Sequence, residues 1–189
     1  MKDMKDLLRD QARKHRARMV SDSAAFEAVR DHFFAALSPP PSAVIAAYWP
    51  KGREFDPIPV LEQALENGHI CALPVVQADS KILRFMPWTR HTPLAKGAFG
   101  ILEPAQGAGE DFIEPDIIIV PLLAFDRRGH RLGQGGGYYD ATLAHLRTKK
   151  NVIAVGVGYA DQAVLFPLPA EEHDQKLDWI ITPQGAQKF

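Results

Sequence analysis

The segment Asp116–Lys150, DIIIVPLLAFDRRGHRLGQGGGYYDATLAHLRTKK, decides the fold class. It opens on an unbroken β-branched run, Ile117–Val120, of the kind found in strands buried on both faces. It closes on a glycine-poor stretch of helix formers, Tyr139–Lys150, and between them four glycines fall in the five positions Gly133–Gly137. Strand, glycine loop and helix in that order predict one βα step of a parallel sheet. The same alternation extends outward on both sides. Upstream, AVIAAYW reads as a buried strand, PIPVLEQALENG as a helix with proline near its start and Gly68 past its end, and HICALPVV and KILRFMPW as two further strands. GAFGILEPAQGAGEDFIEP reads as loop. Downstream, NVIAVGVGY and LDWIIT are strands. Two helices precede everything: MKDMKDLLRDQARKHRARM, and SDSAAFEAVRDHFFAAL with Ser21, Asp22 and Ser23 as N-cap candidates and SPPPS as its stop. The expectation is one α/β domain over residues 1–189, with a mainly parallel sheet covered by helices on both faces.

Composition narrows the function classes. The chain has 189 residues, enough for one sizeable core, and a formal net charge of −1. That charge predicts no general attraction to nucleic acid or to an acidic membrane surface. No apolar run reaches the ~20 residues a membrane span requires. The first residues lack the apolar stretch of a secretory signal, and Asp3, Asp6 and Asp10 argue against a mitochondrial presequence. The single cysteine, Cys71, excludes an internal disulfide and sits inside a strand pattern, where a core role is expected. Together these features predict a cytoplasmic protein, and nothing in them demands more than a monomer.

The glycine loop has two readings, a long flexible turn or a phosphate cradle. A helix N-terminus offers free N–H groups and a partial positive charge, and glycines let a backbone approach an anion closely. Arg131 could add a planar donor fork. The standard signatures are absent. No Lys-Ser or Lys-Thr follows Gly137, and Tyr138 stands where a dinucleotide fingerprint needs its last glycine. Any phosphate loop here is therefore of another kind.

Other residues carry similar alternatives. Asp140, in the first turn of the following helix, complements the helix dipole or ligates Mg²⁺ beside a phosphate. PAEEHDQKLD supplies Glu171, Glu172, His173 and Asp174 in one short acidic segment, either solvated or metal-binding, with Asp174 the better ligand for a hard cation. The cations of the first helix form a solvated basic face for the most part, although Lys5 and Arg9 share one face at i, i+4 spacing. Trp49 and Glu54, after a strand, form either a hydrophobic anchor with a turn or a pocket for a flat heterocycle bearing N–H donors.

Taken together, KDLLR, WPKGREFD, FGILEP, VPLLAFDRRGHRLGQGGGYYD, QAVLFPLPAEEHD and LDWIIT occur in an order that resembles the 5-formyltetrahydrofolate cyclo-ligase family over almost the whole chain. The resemblance implies a three-layer αβα sandwich. It also implies ATP- and Mg²⁺-dependent closure of 5-formyltetrahydrofolate to 5,10-methenyltetrahydrofolate, with ADP and phosphate released. By the same resemblance Lys5, Arg9 and the run Arg131, Leu132, Gly133, Gln134, Gly135, Gly136, Gly137, Tyr138 and Tyr139 contact the nucleotide. Trp49, Glu54 and Gln134 to Tyr138 contact the folate, Asp140 and Asp174 hold Mg²⁺, and Arg131 and Lys5 are the implied catalytic cations. Two positions depart from the family's habit: some members carry lysine at Gly136, and an aromatic or basic residue is common at Gln134. Lys2 would replace Lys5 if the helix register were read differently.

Overall fold

The computed structural model describes residues 2–20, 22–105 and 111–189. Ser21, one of the N-cap candidates, and the side chain of Lys2 lie outside the described residues.

Two helices come first, α1 (Lys2–Arg16) and α2 (Ser23–Leu37). Asp22 caps α2 by accepting the Ala24 N–H at 3.0 Å, and the helix ends at Ser38, ahead of the prolines. Then come β1 (Val44–Ala47), α3 (Ile58–Glu66), and the antiparallel pair β2 (Ile70–Gln77) and β3 (Ser80–Trp88). Pro74 interrupts no ladder on its β1 side, because β1 pairs only with the first residues of β2, from Ile70 to Ala72.

β6 (Ile117–Val120) is buried along its whole length, as its β-branched composition requires. It pairs in parallel with β1 on one side and with β9 (Ile153–Val157) on the other. β10 (Trp179–Thr182) extends the parallel set, and β11 (Gly185–Lys188) closes that edge antiparallel. The seven-stranded order is β11-β10-β9-β6-β1-β2-β3. Counting only the five parallel strands in chain order, it runs 2-1-3-4-5, so the winding reverses between β1 and β6. Ligands of open α/β sheets settle at the carboxyl ends of the strands flanking that reversal.

Helices cover both faces. Val29 and Phe33 of α2 and Val60, Leu61 and Ala64 of α3 pack with Ile45, Ile119, Val155 and Ile181 on one face. Leu143 and Leu146 of α4 (Tyr138–Arg147) pack with Ile118, Val120, Ala154 and Ile180 on the other. Odd and even residues of β6 thus feed different cores, and the three-layer αβα sandwich with a mainly parallel sheet is what forms. α1 lies outside these layers. Its Leu8 and Ala12 pack on a small cluster of Ala124, Leu132 and Leu168 at the carboxyl end of the sheet.

The structure corrects the sequence reading at three places. The stretch read as loop contains β5 (Leu102–Pro104), which pairs antiparallel with β4 (Leu94–Lys96); three-residue strands are too short for alternation to register. The edge strand β11 was not expected, because GAQK is polar and strand formation there rests on pairing with β10. The glycine loop does not follow β6 directly. A two-stranded hairpin, β7 (Ala124–Phe125) and β8 (Arg131–Leu132), intervenes and lifts the loop above the sheet edge. Asp126 ties that hairpin by accepting N–H groups from Arg128, His130 and Leu168 at 2.9, 3.0 and 3.0 Å.

Candidate active site

Above the carboxyl ends of β1 and β6 lies a cleft of about 860 Å³, in the size range of small-molecule sites. The glycine loop forms one wall. Gly135 and Gly137 hold φ at +106° and +73°, conformations that side chains disfavour. Gly137 is the N-cap of α4 and brings no side-chain cap, so the first N–H groups of that helix are left for another acceptor. A Cβ on Gly136 would press against the Tyr138 ring at 2.8 Å.

α1 forms a second wall. Lys5, Arg9, Arg13 and Arg16 all line the cleft, while Leu8 and Ala12 between them anchor the helix below. Lys5 is buried and donates to Glu171 Oε2 at 2.8 Å and Asp174 Oδ2 at 2.6 Å. Burial pulls the ammonium pKa down, but bonds to Asp174 and Glu171 outweigh it, and the net shift is upward. Asp174 is displaced downward: burial raises it, and Lys5 with the Glu171 N–H more than reverses that. Arg9 donates to the Gly133 carbonyl at 3.1 Å and to Asp6 at 2.5 Å, and Arg13 to the Gln134 carbonyl at 3.1 Å. The helix thus grips the glycine loop by its carbonyl groups and leaves the loop's N–H groups free of those contacts.

The segment after β1 forms the third wall. Trp49 packs edge-on to Trp88 with ring centroids 6.4 Å apart. Glu54 Oε1 accepts from the Gln134 side-chain amide at 3.1 Å, and Oε2 accepts the Lys51 N–H at 2.9 Å. Tyr48 and Tyr139 stand behind Glu54, their phenol pKa values raised, first by burial and then by the carboxylate's charge. The sequence-predicted folate and nucleotide residues therefore border one space.

Two assignments look different in place. Arg131 does not extend its fork into free space; it donates to the Gln175 carbonyl at 2.7 Å and pairs with Asp140 at 3.1 Å. Asp140 also accepts the Gln175 N–H at 2.9 Å. Asp174 falls in a close group with Glu171 and His173, whose ligand atoms lie within 4.8 Å of one another, and Asp140 lines the same cleft outside that group. Carboxylate oxygens are the donors a hard divalent ion takes, although Lys5 already bonds Glu171 and Asp174.

The model of the 5-formyltetrahydrofolate cyclo-ligase family matches residues 1–183. The chain belongs to that family. It is 38% identical to the 5-formyltetrahydrofolate cyclo-ligase of Mycolicibacterium smegmatis over 74% of this chain and 73% of that protein. It is 32% identical to the Haemophilus influenzae cyclo-ligase over 92% of this chain and 95% of that one. Among solved structures, 5,10-methenyltetrahydrofolate synthetase of Aquifex aeolicus superposes with a TM-score of 0.78 at 27% identity, covering 98% of this chain and 92% of that one.

The cleft also contains residues to which the sequence reading gave no part in a site. Arg13 and Arg16 continue the Lys5–Arg9 stripe, and their spacing was there to be read. Phe99 was not legible. It is 62% exposed at the tip of the β4–β5 excursion, holds φ at +59°, and sets its ring edge-on to Tyr138 at 5.7 Å. The Lys51 ammonium donates to its carbonyl. Lys81, whose Nζ is 3.9 Å from where a Cβ on Gly137 would sit, brings further charge to the loop by tertiary folding alone.

Proposed function

We propose that, with Mg²⁺ as cofactor, the chain converts 5-formyltetrahydrofolate and ATP into 5,10-methenyltetrahydrofolate, ADP and phosphate within this cleft. The observation that carries the reading is the convergence of an uncapped α4 N-terminus, a glycine loop and the α1 cations opposite an aromatic-and-carboxylate pocket. Family membership supports the same reaction.

The formyl oxygen attacks the γ-phosphorus and ADP departs. The N10 amine then attacks the activated formyl carbon, phosphate leaves with the former formyl oxygen, and N10 loses its proton. The backbone N–H groups of the loop and of the first turn of α4 receive the phosphate oxygens. Lys5 and Arg9 compensate their charge from the opposite wall. Glu54 accepts N–H donors of the pterin and Trp49 packs on its ring, so the formyl group is directed at the loop. Asp140 and Asp174 would hold Mg²⁺, with Arg131 orienting Asp140. When bound, the ion neutralises phosphate charge as ATP is cleaved. Positioning and charge stabilisation suffice, and no covalent nucleophile is required.

Incubating the protein with 5-formyltetrahydrofolate, ATP and Mg²⁺ should produce methenyl-folate absorbance and ADP in equal amounts. ATP turnover that this folate does not stimulate would instead mean a kinase with another acceptor. Glu54→Gln removes a charge-assisted acceptor and should raise the folate KM about tenfold to a hundredfold, with the ATP KM little changed. An unaltered folate KM would remove Glu54 from the site.

A further inference from the structure

Arg16 is the last residue of α1 and has no part in the scheme above. Its side chain is 12% exposed, and that of Glu54, which it faces, is 11% exposed. The nearest approach, Arg16 NH1 to Glu54 Oε1, is 3.7 Å, too long for a hydrogen bond. NH1 is shielded from solvent and has no hydrogen-bond partner. The buried Arg131 guanidinium, by contrast, is held by a backbone carbonyl and a carboxylate, although its Nε too has no hydrogen-bond partner. A shielded arginine whose only charged partner stands just beyond bonding distance acts on that partner through its charge.

The occupancy of Glu54 explains the gap. Its two oxygens already have neutral donors, the Gln134 amide and the Lys51 backbone N–H. Gln134 is exposed, on the glycine loop, and is the donor free to leave. Arg16 is fixed at the end of a helix whose Leu8 and Ala12 are packed. Burial pulls the guanidinium pKa down, and the Glu54 charge opposes that.

We propose that Arg16 is a positioning residue for folate recognition. From behind Glu54, it balances the carboxylate's charge without occupying either oxygen, so that the pterin's N–H donors can replace the Gln134 amide on Oε1. This rests on Glu54 being the pterin acceptor. In this role Arg16 acts through Glu54.

The test is steady-state kinetics on Arg16→Met, Arg16→Lys, Glu54→Gln and the double variant Arg16→Met with Glu54→Gln. Arg16→Met should raise the folate KM about tenfold or more, leaving kcat and the ATP KM within about twofold. Arg16→Lys, which restores a cation, should recover most of the loss. In the Glu54→Gln background, Arg16→Met should add little, because the charge it balances is gone. An unchanged folate KM in Arg16→Met, no recovery with lysine, or full additivity in the double variant would each overturn the proposal. If Arg16→Met does not fold, Arg16→Gln replaces it with the same expected outcome. A Glu54→Gln variant with normal folate KM would instead bring down the pterin assignment itself, so the two failures are distinguishable.

Discussion

Gly135 sits at φ +106° with the Arg9 guanidinium 3.4 Å from where its Cβ would stand. Alanine there costs roughly 1–2 kcal/mol in backbone strain and also pushes on a phosphate-facing cation. Gly135→Ala should therefore raise the ATP KM about tenfold; an unchanged ATP KM would remove Gly135 from the nucleotide contacts. Cys71 gives the opposite kind of prediction. Its thiol is buried, its pKa is pushed up to about 12 by burial, and its Sγ donates to the Leu61 carbonyl at 3.4 Å. Iodoacetamide at pH 8 should label it only after unfolding, and rapid labelling of native protein would show an open core. At this scale the sequence is informative about residue type and poor about partners. Four glycines announce a close backbone approach, but only the path of the chain tells that Gly135 and Gly137 need positive φ. Likewise Arg131 reads as a phosphate fork, whereas folding turns it toward Asp140 and Gln175.

The docking of α1 depends on few contacts. Leu8 and Ala12 supply a small apolar seat, and Lys5 bonded to Glu171 and Asp174 supplies the polar clasp. Lys5→Met leaves two acidic groups facing each other; it should raise the ATP KM about tenfold or more and speed amide hydrogen exchange along α1. Unchanged exchange would mean the apolar seat alone holds the helix. The clasp also has a pH signature. Asp174 and Asp126 titrate below the ordinary 3.8, Asp174 through Lys5 and the Glu171 N–H, Asp126 through three backbone N–H groups, each against the opposing effect of burial. The unfolded chain then takes up their protons first. Their stabilisation is complete above the unfolded value and is lost as pH falls through the lower folded values. Lys5, displaced upward, keeps its contribution at every pH below its ordinary 10.5. Denaturant midpoints should fall a little below pH 6.5, where burial keeps His130 neutral while the unfolded chain protonates, and more steeply below about pH 4; a midpoint flat to pH 3 would contradict the assignment. A run of helix formers without glycine or proline made α1 readable as an element, and i, i+4 spacing showed that Lys5 and Arg9 share a face. What that face meets was not readable, because the partners lie more than a hundred residues away in sequence, Gly133 arriving through the β7–β8 hairpin and Glu171 and Asp174 through the segment between β9 and β10.

For the molecule as a whole, the reversal of winding between β1 and β6 locates the cleft, and the loops after those two strands carry opposite halves of the chemistry. The order of strands and helices was legible because β6 is a continuous β-branched run, β9 is rich in valine and isoleucine, and α2 and α3 have clear stops. The short β4–β5 excursion that brings Phe99 over the cleft was not, since its strands form through pairing and not through local preference. Among the described residues no helix is long and apolar enough to cross a membrane. A crystal structure of the protein with a non-hydrolysable ATP analogue and 5-formyltetrahydrofolate would decide whether this cleft joins the two substrates. The γ-phosphate should rest on the N–H groups between Gly133 and Asp140, within reach of Lys5 and Arg9, with the pterin on Trp49 and Glu54 and the formyl oxygen facing the phosphorus. Nucleotide bound elsewhere, or pterin and phosphate on separate surfaces, would contradict it.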